Sequence, residues 1–292
     1  MPTLENLEIE KYHGNGNDYI IINDIKSKIP EDIKSRLALV LCKIHFSVGA
    51  DGLIFVNNSE NAEIQMRIFN NDGSEAEMCG NGIRCFSKYV YENGIIKKDE
   101  ISIETLKGIM IAKLNVIEGI VKTVRINMGP PEIECEKIPV ISLRGSNTCL
   151  DEEIKVLDKK FNFTAVNMGN PHAIIFVDEQ LNDDEDLIKY GSIIEKHERF
   201  PKKINVEFVK ILSETESILR VFERGVGITN SCGTGTCASV VAGTLLGKFK
   251  KDTQVTVHND GGDLIITYDG DVVFMEGPAE KVFKGIIESI EI

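Results

Sequence analysis

Apolar residues along this chain fall mostly into short blocks between polar turns, a pattern that predicts strands more often than helices. Residues 7–24 read as strand, with the run Tyr19-Ile20-Ile21-Ile22 following a glycine-rich turn, His13-Gly14-Asn15-Gly16-Asn17. Residues 53–56 and 64–69 are strand-like, and 101–128 alternates as a meander with turns near Gly108 and Glu118-Gly119. Two stretches read as helix. In 31–45, Ile33, Leu37, Val40, Leu41 and Ile44 recur at three- and four-residue steps, and 83–93 ends at Gly94, a C-terminal helix signal. Gly129-Pro130-Pro131 then breaks the pattern. It marks the expected boundary between a first domain, 1–128, and a second, 129–276. The order then repeats: a strand at 173–177, a helix at 182–197, strands at 206–211 and 218–223, a helix at 237–249, and strands at 254–258, 263–268 and 271–275. The tail, within 277–292, is expected to pair back onto the first domain.

The repetition has a fixed offset. Cys79-Gly-Asn-Gly82 returns as Cys232-Gly-Thr-Gly235, 153 positions later (232 − 79 = 153), and each copy precedes a predicted helix. At the same offset Gly16-Asn17 maps onto Gly169-Asn170, Phe55-Val56 onto Phe208-Val209, and Phe69-Asn70-Asn71 onto Phe222-Glu223-Arg224. Gly108 maps onto Gly261, and Gly129-Pro130 is answered by Gly277-Pro278 after a slip to 148 (277 − 129 = 148). Several matches at one spacing predict two halves of the same fold, and the period is far too long for a solenoid.

The repeated loop suggests chemistry. A sulfur at a helix N-terminus sits beside backbone N–H groups and the positive end of the helix dipole, which favour its thiolate. The glycines let a ligand approach the backbone closely, and such helix ends suit a carboxylate. Two such loops facing one cleft would hold an α-carboxylate and leave one sulfur on each face of the α-carbon. One thiolate could then remove a proton while the other thiol returns one, with the two titrating as a coupled pair.

Composition narrows the classes. The chain has 292 residues and a net charge of −13, which argues against nucleic-acid or anionic-membrane partners. No apolar run approaches the length of a membrane span, and the N-terminal segment does not read as a signal peptide. Seven cysteines, an odd number, predict a reduced, cytoplasmic protein. Cys85 and Cys237 read as small buried side chains. The histidines lack metal-ligand spacing, so no metal is expected, and His172 reads as a structural hydrogen-bonder.

The runs His13-Gly-Asn-Gly-Asn-Asp18, Phe69-Asn-Asn-Asp-Gly-Ser-Glu75, Cys79-Gly-Asn-Gly-Ile-Arg-Cys85, Asn167-Met-Gly-Asn-Pro-His172, His197-Glu-Arg-Phe-Pro201, Glu223-Arg-Gly-Val-Gly227 and Cys232-Gly-Thr-Gly235 span the chain. Together they resemble the diaminopimelate epimerase family, cofactor-independent enzymes of lysine and peptidoglycan precursor synthesis. The resemblance implies an α/β fold of α+β type, with two pseudo-symmetric domains, each a mixed sheet wrapped around a central helix. It implies Cys79 and Cys232 as acid/base residues, Cys79 as base on the L,L isomer and Cys232 on the meso isomer. It further implies substrate contacts from Asn17, Asn70, Asn170, Asn205, Glu223 and Arg224, and backbone donors at Gly80, Asn81, Gly233 and Thr234. The expected partner is diaminopimelate, and the expected assembly a homodimer. Three positions depart from the family pattern: Gly52, where many members carry Gln, Ile228, where Glu is common, and Phe283, where some have Tyr. The alternative readings are a racemase of another amino acid, such as histidine or lanthionine, and, from another class, a thiol redox or metal-binding protein. A proline-racemase-like enzyme fits less well, since Asn81 stands where that family has His.

Overall fold

The computed structural model describes residues 3–179 and 183–292. Residue 182, the first of one predicted helix, and the first two residues of the N-terminal segment lie outside the described residues. The chain divides into unit 1, Met1–Ile126 with Gly277–Ile292, and unit 2, Asn127–Glu276. Unit 1 runs β1 (Thr3–Gly14), β2 (Asn17–Asn23), α1 (Lys34–Leu41), β3 (Gly52–Asn57), β4 (Ile64–Asn70), β5 (Glu75–Ala76), α2 (Gly80–Glu92), β6 (Glu100–Thr105), β7 (Gly108–Ile117) and β8 (Ile120–Gly129). Unit 2 runs β9 (Glu152–Val156), β10 (Lys159–Asn167), β11 (Pro171–Phe176), α3 (Asp184–Glu195), β12 (Asn205–Ser213), β13 (Glu216–Glu223), β14 (Gly227–Thr229), α4 (Gly233–Leu245), β15 (Gln254–Asn259), β16 (Gly262–Tyr268) and β17 (Val273–Gly277). The last strand, β18 (Glu280–Glu291), returns to unit 1.

The two sheets have one topology. Unit 1 orders its strands β18-β1-β2-β3-β4-β6-β7-β8. Unit 2 orders them β9-β10-β11-β12-β13-β15-β16-β17. Pairing is antiparallel except at β2–β3, β4–β6, β11–β12 and β13–β15. A parallel pair needs a crossover connection, and α1, α2, α3 and α4 lie in those four connections in turn. The units differ in how the edge strand is supplied. Unit 2 takes β9 from just before β10, whereas unit 1 takes β18 from the far end of the chain. The duplication therefore carries a circular permutation.

Each unit has a buried helix and a second, amphipathic one. In α2 every residue from Gly80 to Val90 is buried, and the helix contacts β1, β2, β3, β4 and β7. A helix enclosed on all sides must satisfy its polar groups internally. Ser87 donates to Ile83 O at 2.7 Å, and Lys88 donates to Val121 O at 2.7 Å. The fully buried Arg84 donates to Pro278 O at 3.0 Å, to Asn81 Oδ1 at 2.9 Å and to Asn15 Oδ1 at 2.6 Å. It thereby ties the helix to the glycine-rich turn and to the returning C-terminal segment. In unit 1, α1 packs Leu37, Ala38 and Leu41 with Ile20, Ile22, Leu53 and Phe55. In unit 2, α3 packs Leu187, Tyr190 and Ile194 with Ile175 and Phe208.

Several sequence expectations change. The predicted helix at 31–45 is a short 3₁₀ turn, Glu31–Ile33, followed by α1, which ends at Leu41. The apolar stripe overruns because the chain turns sharply at His45 (φ +68°) and Gly49, leaving Ile44 exposed. The helices expected at 83–93 and 237–249 start three and four residues earlier, at Gly80 and Gly233 (83 − 80 = 3; 237 − 233 = 4). Glycine's low helix propensity had masked both starts. The hairpin β9–β10 was not anticipated, because lysines and glutamates on its exposed face obscure the alternation. The turn glycine equivalent to Gly108 (φ +122°) is Gly262 (φ +121°), not Gly261, since Thr105 pairs with Gly108 as Asn259 pairs with Gly262. Not all cysteines are free thiols. Cys135 and Cys149 form a disulfide across a Cα–Cα distance of 5.5 Å. Both are buried in the unit 2 core. Cys85 and Cys237 are fully buried, as expected.

Because Arg84 bonds three separated parts of unit 1, Arg84→Leu leaves several buried acceptors unpaired. We expect a loss on the order of 3 kcal/mol, read as a lowered denaturation midpoint in urea at unchanged slope.

Candidate functional site

In unit 1, Cys79 is the N-cap of α2, with an extended backbone (φ −137°, ψ 125°) and no side-chain cap bond. Gly80 and Asn81 are the first helical residues, so their N–H groups have no partner within the helix. The Cys79 sulfur lies 2.9 Å from the Tyr19 hydroxyl and 3.8 Å from Asn17 Oδ1. Asn17 is held on both sides. Its Nδ2 donates to Asp51 at 2.6 Å, and its Oδ1 accepts from Asn81 Nδ2 at 3.3 Å and from the Tyr19 hydroxyl. Asn70 ends β4 and donates from its side chain to Ser74 Oγ at 2.9 Å, closing the turn that leads to the cysteine loop.

The Gly52 departure has a local cause. Tyr19 and Gly52 are direct partners in the β2–β3 register. A Cβ on Gly52 would lie 2.8 Å from Phe69 O and 3.3 Å from the Tyr19 ring. The space a longer side chain would take here belongs to Tyr19.

In unit 2, Cys232 is the N-cap of α4 with the same extended backbone (φ −113°, ψ 104°), again with no side-chain cap bond. Gly233 and Thr234 open the helix, and Thr234 Oγ1 lies 3.4 Å from the Cys232 sulfur. His172 occupies the position that Tyr19 holds in unit 1, pairing with Asn205 as Tyr19 pairs with Gly52. Its Nε2 bonds Asn170 Oδ1 at 2.9 Å, and its Nδ1 bonds Glu207 Oε1 at 2.6 Å. Both ring nitrogens are thus used by protein groups, as the structural reading of His172 anticipated. Asn205 donates to Pro171 O at 2.8 Å and accepts from Arg224 N at 2.9 Å. An amide has two donors and two lone pairs, so each end keeps one for a ligand. Glu223 ends β13 and accepts from Thr229 at 2.5 Å, and the Arg224 guanidinium donates to Lys202 O at 3.2 Å.

Sequence reasoning missed Tyr19, Asp51 and Glu207. The 153-residue offset pairs Tyr19 with His172 and could have flagged the first. Glu207 falls opposite Ile54, so the repeat carries no signal for it. His172, Glu207 and Cys232 bring ligand-type atoms within 4.8 Å of one another. The His172–Glu207 separation of 2.6 Å is a hydrogen bond. Two ligands on one tetrahedral zinc, with bonds of about 2.0–2.1 Å, would stand roughly 3.3 Å apart.

The electrostatics of the two units differ. Burial pushes the Cys232 thiol well above its ordinary range, and the carboxylates of Glu223 and Glu207 push it further. Thr234 and the Gly235 N–H act in the opposite sense. Burial also raises the Glu207 carboxyl, against the pull of His172. In unit 1, burial and then the adjacent Cys79 sulfur push the Tyr19 phenol well above its range.

The family profile described as diaminopimelate epimerase matches residues 9–134 and 164–282. A diaminopimelate epimerase from Bacillus cytotoxicus is 44% identical over 289 residues, covering 98% of each chain. One from Pelotomaculum thermopropionicum is 48% identical over 284 residues, covering 96% of this chain and 98% of the relative. Among solved structures, a Bacillus anthracis phenazine biosynthesis protein of the PhzF family superposes with a TM-score of 0.71 at 19% identity, over 98% of this chain and 99% of that one. A hydroxyproline epimerase from Agrobacterium vitis gives 0.67 at 15%, over 98% and 92%. At those identities the structural matches speak to the fold alone.

A carboxyl raised by folding binds its proton in the native state where the unfolded chain has released it. Its contribution is therefore fully present below the unfolded value near 4.3 and is lost as pH rises through the folded one. Glu207→Gln keeps the contact to His172 and removes this linkage. The variant should gain stability relative to the parent as pH rises from 5 to 8, seen as diverging urea midpoints. Parallel midpoints across that range would contradict the assignment.

Proposed function

The chain belongs to the diaminopimelate epimerase family, and from that premise we propose that it interconverts L,L- and meso-diaminopimelate by proton transfer between Cys79 and Cys232. The observation that carries this reading is the repeated construction of the two thiols. Each caps a 13-residue helix whose first residues are Gly80-Asn81 or Gly233-Thr234. Each helix begins without a side-chain cap, and its first N–H groups suit an anionic ligand.

In the forward direction the Cys79 thiolate takes the α-proton of the L,L isomer. The C–H bond breaks, an S–H bond forms, and the electron pair spreads into the α-carboxylate. The Cys232 thiol then gives its proton to the opposite face of that carbon, and its sulfur is left as thiolate. The reverse reaction begins with Cys232 as base on the meso isomer. N–H donors at Gly80, Asn81, Gly233 and Thr234 stabilise the charge that develops on the carboxylate. Burial and the Glu223 carboxylate favour Cys232 as the thiol partner at the start. Asn17, Asn70, Asn170, Asn205, Glu223 and Arg224 contact the substrate's ammonium and carboxylate groups. We place the enzyme in the cytoplasm as a homodimer, working without an added cofactor and supplying lysine and peptidoglycan precursor synthesis.

Proton NMR in D₂O with reduced protein and L,L-diaminopimelate tests the reading. We expect deuterium at one α-carbon and conversion to the meso isomer. Cys79→Ser and Cys232→Ser should each slow conversion by on the order of 10³-fold, within the range for loss of a general acid or base. Exchange with a different amino acid and none with diaminopimelate would move the substrate. Unimpaired conversion in either variant would sink the two-thiol mechanism.

A further inference from the structure

The two thiols are built on one plan but do not have the same neighbour. At the equivalent register position unit 2 places His172, which is committed to Asn170 and Glu207. Unit 1 places Tyr19, whose hydroxyl stands 2.9 Å from the Cys79 sulfur. Gly52 leaves the room for that ring. We propose that Tyr19 is a positioning residue for Cys79, a buried phenol that serves both protonation states of the thiol and favours the thiolate. The inference rests on the reading of Cys79 as an acid/base residue and extends it to a group that the family resemblance did not assign.

The hydrogen-bond network supports two settings of one hydrogen. When Cys79 is a thiol, its S–H donates to the phenol oxygen, and the phenol hydrogen is donated to Asn17 Oδ1. When Cys79 is a thiolate, the phenol hydrogen turns to the sulfur. Asn17 Oδ1 keeps the Asn81 amide as donor at 3.3 Å. Asn17 itself cannot swing, because its nitrogen is held by Asp51 at 2.6 Å. No proton leaves the phenol in either setting. Its ionisation is pushed well above the ordinary range by burial and by the neighbouring sulfur, so it stays a donor. The bond to the charged sulfur is the stronger of the two, roughly twice a neutral one. Removing the hydroxyl therefore costs the thiolate more than the thiol.

Other charges face this pair. Asp51, just before β3, and Cys85, from the next turn of α2, bear on Tyr19, and Asp18 and Arg84 bear in turn on Cys85. Tyr19→Phe leaves all of them in place and keeps the ring packing. A shift in Cys79 titration can then be assigned to the hydroxyl.

The test is alkylation of reduced protein by iodoacetamide across pH 6–10, with each cysteine followed by mass spectrometry. It does not depend on which amino acid the enzyme turns over. In Tyr19→Phe the Cys79 midpoint should rise by about one pH unit, so that alkylation at pH 7 slows about tenfold, while the alkylation rate of Cys232 stays unchanged. Turnover of diaminopimelate by the same variant should show lower kcat with KM within about twofold. A Cys79 midpoint that is unchanged or lowered would overturn the proposal, as would an equal slowing of alkylation at both cysteines. If the parent does not turn over diaminopimelate, the substrate reading fails, and the alkylation midpoints still decide the role of Tyr19.

Discussion

The structure depends on helices that begin without a conventional cap. A helix start leaves several N–H groups without partners, and Ser, Thr, Asp or Asn usually answers one of them. Here α2 and α4 start at cysteines whose side chains make no such bond. Glycines follow at once, and they are needed for more than flexibility. A Cβ on Gly235 would meet Glu207 Oε1 at 2.5 Å, and one on Gly82 would meet Ile68 at 3.1 Å. Each helix therefore seats its first turn close against its own sheet. The first N–H donors and the sulfur are left together at the helix end, where the dipole favours negative charge.

Burying α2 so completely imposes a second requirement. Its polar side chains must find partners inside unit 1, and Arg84 finds three, in the turn after β1, in α2 itself and in the segment that leads into β18. The edge strand that unit 2 takes from its own beginning is thus tied, in unit 1, to the end of the chain. The permuted topology and the buried arginine belong to one solution. The glycine-rich turn is fixed by the same network, and Asn17 follows directly from it.

On this shared frame the units have diverged electrically. Unit 2 surrounds its thiol with carboxylates, from Glu207 and Glu223. Unit 1 has Ile54 and Asn70 at the corresponding positions and a phenol against its sulfur. The proposed two-thiol proton transfer needs one sulfur in each state at any moment, and unlike surroundings favour that over two equal ones. Pseudo-symmetry provides the matching backbones, and its breakdown at a few side chains distinguishes the two sulfurs.

The sequence alone determined the repeat, the two Cys-Gly-x-Gly loops, the family and most strands, because these are encoded in local pattern and in spacing along the chain. It placed Asn17 and Asn170 through their common offset from the cysteines. It overran α1 at Ile44 and started α2 and α4 late at Ile83 and Cys237, since apolar periodicity does not see a backbone turn and low propensity hides a glycine-led start. Only the tertiary structure decided the Tyr19–Cys79 contact, the His172–Glu207 pair and the Cys135–Cys149 disulfide. Each joins residues whose meeting depends on strand register or on the path of an intervening loop. Periodicity and residue type record which face a side chain takes, but which other face it meets is settled when the sheets are assembled.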